Sequence, residues 1–281
     1  MLRAKYIRNA TDGNGTLLRG DIYQVGIPDL LGGDTGHRMW EVSTVQKYSI
    51  GARFVTPDGR VFRYAKAGGT LVVGQGAHNY ETENYIRYAV LPAGVKAGSS
   101  TISLTVDAHD GAKATHNGSL AANELVGGYI LVFDKTATNH VVIRTVLSNT
   151  VVASGGGTTV VTVDAPYPLA LEIGTDAAAA MASPYLNVQS NSVEVQCCVG
   201  VPTVPADSGE YFWLQTWGVC WIASAADVGT GISVHESFFG GNGALVLHGA
   251  GANLQHAGFM ISSRARDGAQ GETFIMLQIS I

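Results

Sequence analysis

The stretch STISLTVD, residues 100–107, sets Ile102, Leu104 and Val106 against Thr101, Ser103 and Thr105 in strict alternation. A side-chain period of two belongs to an extended strand, whose successive residues point to opposite faces. The segment therefore predicts a strand with one buried and one wet face. Outward from it, similar β-branched segments recur: RFV (53–55), RVFRYAKA (60–67), GYILVFD (128–134), VVIRTVLS (141–148), TVVTVD (159–164), VEVQCCVG (193–200), EYFWLQTW (210–217) and ETFIMLQISI (272–281). The last places Ile275, Leu277, Ile279 and Ile281 on one side. TPDG (56–59) has the Pro and Gly of a type I turn between two strands, and SGGGT (154–158) is a second tight connection. Two short helices are expected, DAAAAMASP (176–184), with an Asp cap, an alanine run and a closing Pro, and a turn at SLAANEL (119–125). No segment keeps a 3.6-residue period for three turns. The expected fold is all-β: antiparallel β-sandwich or barrel-like domains, an extended N-terminal arm and minor helix.

Composition narrows the class. Charged residues are 14% of the 281, against about 25% in an average soluble domain. Glycine, at 36 residues, is far above the roughly 7% norm, yet shows no Gly-X-Y period. The 46% hydrophobic content excludes a disordered chain. No run reaches the roughly 18 apolar residues of a membrane span, and the first twenty residues show no secretory signal. Of the 119 residues from 145 to 263, none is Lys or Arg, while residues 1–100 carry 12 basic and 8 acidic side chains. A net charge of −5 argues against nucleic acid as partner, since phosphate binding needs a dense basic surface. Composition shifts divide the chain into an arm (1–45), a β-rich domain (46–190) and a C-terminal β domain (191–281) holding all three cysteines.

Candidate chemistry is sparse. Cys197, Cys198 and Cys220 lack CxxC spacing and read as reduced apolar fillers, consistent with folding in the cytosol. His109, Asp110 and His116 sit in a Gly/Ala loop. His78 lies near Glu81 and Glu83, which face the other way along a strand. His235-Glu236 lacks the second histidine of HExxH. There is no GxSxG elbow, and the glycine clusters lack the GK[ST] of a phosphate loop. The expectation is a chain with no catalytic residues, no metal and no cofactor. The aromatic run is the other feature. In a strand, Tyr211, Trp213 and Trp217 share one face and Phe212 and Leu214 the other, so either a sandwich core or an intersubunit surface covers the second face.

Three stretches carry a resemblance. VTPDGRVFRYAKAGG (55–69), the block from ANELVGGYILVFDK (122–135) through DAPYPLAL (164–171), and VGVPTVPADSGEYFWLQTWGVCWI (199–222) resemble segments of tailed-phage virion proteins found among head genes. The last is also similar to small head-decoration proteins built as trimeric β-tulips. The resemblance spans roughly residues 46–281 and its motifs are turns and strands. It implies a non-catalytic capsid decoration or cement protein on the virion's capsid surface, made in the host bacterial cytoplasm. The partners implied are the major capsid protein and itself, as a homotrimer, with neither nucleic acid nor membrane. On that reading Tyr211, Trp213, Trp217 and Trp221 form the oligomer interface, and Arg3, Lys5, Arg8 and Arg19 contact the shell. The alternative is a tail, baseplate or receptor-binding component.

Overall fold

A computed structural model describes residues 37–80, 85–135, 140–190, 197–224, 228, 236–246, 254–261 and 273–280. Sixteen strands follow one another: β1 (Arg53–Val55), β2 (Val61–Lys66), β3 (Ala77–Asn79), β4 (Ile86–Val90), β5 (Thr101–Val106), β6 (Tyr129–Phe133), β7 (Val141–Asn149), β8 (Gly157–Val163), β9 (Ala177–Met181), β10 (Val188–Gln189), β11 (Cys198–Pro202), β12 (Tyr211–Trp221), β13 (Glu236–Phe239), β14 (Leu245–Val246), β15 (Gln255–Met260) and β16 (Phe274–Gln278). All pair antiparallel, so the all-β reading holds.

The division of the chain differs from the composition blocks. Described residues up to Tyr80 and from Tyr185 onward form one compact unit, and those in between, through Pro184, form another inserted into it. The 46–190 block is not one domain, because β2 pairs with β12 along most of its length. The insertion leaves and re-enters the flanking unit on neighbouring strands, with Asn79 of β3 opposite Val188 of β10. Within the inserted unit the two ends are also adjacent, since Ile86 lies opposite Ala180.

The inserted unit is a six-stranded, nearly closed barrel in the order β4-β9-β6-β7-β8-β5. Ile102, Leu104 and Val106 are buried as the alternation requires, with Ile102 opposite Val161 on β8, and Ile130, Val132 and Val163 are buried too. Both expected helices are corrected here. Ala177–Met181 is strand β9, hydrogen-bonded between β4 and β6, and residues 119–125 are turns with a single bridge from Leu120 to Val152. No helix occurs among the described residues. The alanines are small for a reason visible across the sheet. The rings of Tyr88 and Phe133, on the strands either side of β9, come within 5.1 Å of each other across it, a contact that short alanine side chains between them permit. Asp176, the expected cap, instead accepts from Lys135 N (2.7 Å) and Glu172 N (2.7 Å), anchoring the entry to β9.

The flanking unit is a ten-stranded sheet curved into a half-barrel, with β1 and β2 joined through β12. The eleven-residue β12 pairs in turn with β2, β11 and β16, and its ladder shifts register between Gln215 and Trp217. That irregularity withdraws carbonyls from regular pairing, and the buried Gln215 amide donates to Trp217 O (3.1 Å) and Val219 O (2.8 Å) in compensation. Gly218 sits in the same bend with φ +91°, and a Cβ there would lie 2.9 Å from Arg60 Cγ and 3.0 Å from Arg60 Cα. Gly59, closing the TPDG turn, has φ +86° but open space around it.

These two glycines make a paired test. Gly59→Ala is expected to cost about 1 kcal/mol, from left-handed strain alone. Gly218→Ala adds a backbone clash and is expected to cost at least ~2 kcal/mol. Urea unfolding of the two variants measures the difference, and equal costs contradict the account of the β12 bend.

Candidate functional site

The aromatic run resolves into two environments. Trp213 and Tyr64 have 0% exposure, whereas Trp217 and Trp221 are part-exposed. Phe212 and Leu214 fill one side of the sheet together with Ala65, Leu71 and Val199. The opposite side is covered by the chain's own residues 37–54, which bring Met39, Ile50, Ala52 and Phe54 onto Phe62, Tyr64 and Trp213. Ring contacts from Trp213 to Tyr64 (5.1 Å), Tyr48 (5.3 Å) and Phe54 (5.8 Å) lock the cluster. Trp213 is therefore core, which corrects its expected place in an oligomer interface. Tyr211 is half-buried and stacks on Tyr64 at 6.1 Å, so it belongs mainly to the same cluster.

The cover is held by polar bonds as well. Trp213 Nε1 donates to His37 O (2.7 Å), and Ser43 and Tyr211 exchange backbone hydrogen bonds of 3.0 and 2.8 Å. His37 Nε2 lies 2.6 Å from Glu41 O, a carbonyl that can only accept, so this nitrogen carries the proton. Its Nδ1 then accepts from Tyr64 Oη at 2.9 Å, and Tyr64 Oη accepts from Lys47 N at 3.1 Å. Burial pushes the Tyr64 hydroxyl up to about 12 and lowers the His37 pKa, which keeps both neutral. Residues 37–45 are thus docked on the flanking unit, with His37 and Met39 buried, and are not a free arm. Arg3, Lys5, Arg8 and Arg19 lie outside the described residues.

One pair joins a nucleophile type to a base type across 120 positions, with no local motif to mark it. Cys198 on β11 stands opposite His78 on β3, with Sγ 3.3 Å from Nε2. Burial raises the thiol pKa and lowers that of the imidazole, so the resting pair is neutral thiol and neutral imidazole. The space around it is filled. A Cβ on Gly76 would fall 2.6 Å from Cys198 Sγ and 2.8 Å from Phe239. A nucleophile needs a thiolate and room for a reacting carbon; this pair has neither, and it packs as core. Cys197, just before β11, is exposed, whereas Cys198 and Cys220 are buried. His109 turns to Asp107 at 2.9 Å, while buried Asp110 accepts from Arg87 N and Asp107 N. Among the described residues no group of three His, Cys, Asp or Glu could hold a metal. Glu81, Glu83 and His235 lie outside the described residues.

What the two units do present is apolar sheet. On the flanking unit, β12, β16 and β15 run side by side with Val219 opposite Met276 and Met276 opposite Phe259. One row along, Trp221 lies opposite Phe274, whose carbonyl accepts from Ile261 N at 2.8 Å. Val219, Phe259, Ile261 and Phe274 are exposed, on the side away from buried Cys220, Ile275 and Leu277. On the inserted barrel, Val90, Ala177, Phe133 and Val141 form a row across four strands, and Ala179, Leu131 and Ile143 a second. Their neighbours Ile130 and Val132 point into the barrel, so these rows face outward.

Three measurements follow from this geometry. Trp213→Ala is expected to cost about 3–5 kcal/mol, and Val219→Thr to stay within about 0.5 kcal/mol. Similar costs in chemical denaturation contradict the division into core and surface. The pKa of His37 and of His78 is lowered from 6.5 in the folded chain, so below that pH the unfolded state takes up more protons and stability falls. The urea midpoint is expected to drop between pH 7.5 and about 5.5; an unchanged midpoint contradicts the neutral histidine clamp. No family model, curated protein or solved structure matches this chain.

Proposed function

We propose that the chain is a structural protein of a tailed-phage virion: a decoration or cement protein that binds the outer surface of the capsid lattice, acts by contact and not by catalysis, and associates with its own copies. The observation that supports this most is the pair of exposed apolar sheet faces, one on each unit. Each consists of side chains fixed in register by a buried layer beneath, which is the requirement for a contact surface that loses little entropy on binding. Apolar patches of this kind mark interaction sites on otherwise soluble folds. On a capsid many copies engage at once, so a modest contact per copy is multiplied by avidity.

The charge pattern fits the same reading. A surface whose partners cover it has little use for charge, and the stretch 145–263, without Lys or Arg, includes all of β12 and β15. Trp217 and Trp221, part-exposed beside Val219, are the members of the aromatic run that remain available to a partner. Shell contact by Arg3, Lys5, Arg8 and Arg19 belongs to this proposal. Their +4 would complement an acidic shell, with the segment tethered at His37 to the aromatic core.

Quantitative mass spectrometry of virions carrying the chain tests the reading. Hundreds of copies per particle, together with binding of the purified chain to undecorated capsids, are expected. A few copies per particle, the stoichiometry of a tail or receptor-binding component, overturns it.

A further inference from the structure

We infer that copies of this chain associate through the outer face of the inserted barrel, on β4, β9, β6 and β7. The face begins with a four-strand row, Val90–Ala177–Phe133–Val141, and continues through Leu131 and Ile143 of the next. Val141 is 52% exposed, Ile143 57% and, further along β7, Leu147 52%. Tyr88, Val90 and Tyr129 are exposed on the same side. No charged side chain interrupts the rows. At the rim, Lys135 Nζ sits 4.8 Å over the Tyr88 ring, placing a cation at the border of the patch and not within it.

The size and chemistry together point to a second copy. Tyr88, Val90, Tyr129, Val141, Ile143 and Leu147 are each 40–57% exposed, a run of large apolar side chains of the kind that partners bury in a stable interface. Covering it with a charged partner would strip water from charges that find no counter-ion here, so the partner must be equally charge-free. This chain carries such a face itself, on every copy. The barrel is nearly closed, with β4 packed near β5 at the ends of the strand order, so the contact is side chain on side chain. Two such faces stack as sheets do, about 10 Å apart, with β-branched side chains interleaved. The inference rests on the barrel alone and does not require the virion reading. A self-associating chain absent from particles would remove that reading and leave this one.

Sedimentation velocity of the full chain at micromolar concentrations tests it, with the variants Ile143→Asp and Val141→Asp and, on the other unit, Phe259→Asp. An oligomer is expected for the parent chain and for Phe259→Asp. Ile143→Asp and Val141→Asp should dissociate at least about tenfold more readily with an unchanged β-sheet circular dichroism spectrum. If an Asp variant loses that spectrum, the milder Ile143→Ser replaces it. A monomeric parent, an association that both barrel variants leave intact, or one lost only in Phe259→Asp overturns the inference.

Discussion

Trp213, the third residue of β12, lies with no exposed surface on a strand whose two faces are both used, and the flanking unit is organised around that burial. Phe212 and Leu214 claim one side of β12, so the indole must be covered on the other. A sheet cannot cover its own face. The cover comes from residues 37–54, which run over the sheet and are fastened by His37, Ser43 and the Tyr64 hydroxyl. The polar bonds matter because an indole N–H or a phenol buried without a partner costs about 1–3 kcal/mol. Beyond the bend at Gly218, β12 and its neighbours β16 and β15 carry Val219, Phe274 and Phe259 into solvent.

Much of this was legible in the alternation. STISLTVD, YILVF and FIMLQ bury the residues the period of two selects, and the turn at TPDG closes with the Gly59 N to Thr56 O bond of 2.9 Å that its Pro and Gly foretell. The failures share a cause, which is contact between distant residues. An alanine run has high helix propensity, but β9 is held as strand by ladders on both edges and by the two rings that meet above it. The side of β12 bearing Trp213 looks free in sequence, since its cover begins at His37, 176 positions away. Cys198 and His78, 120 positions apart, gave no local signal of their pairing. The unit boundaries have the same cause: the composition shifts near 45 and 190 do not mark an insertion, Glu81–Pro184, whose ends meet through pairing of distant strands.

The apolar faces and the shortage of charge are two sides of one property. Solubility of an isolated chain favours a charged surface, and a chain that spends its life among partners escapes that demand. Here both units keep a regular, register-fixed apolar layer outside an already complete buried layer, which no requirement of the fold itself explains. Among the described residues, the Cys198–His78 pair is neutral and packed shut.

Hydroxyl-radical footprinting of the full chain, diluted and then concentrated, examines the central claim most directly. The account predicts that Trp213 stays unlabelled in both states, while Tyr129, Leu131 and Ile143 are labelled when dilute and protected when concentrated. Labelling of Trp213 in the folded chain, or equal labelling of the barrel face in both states, would contradict it.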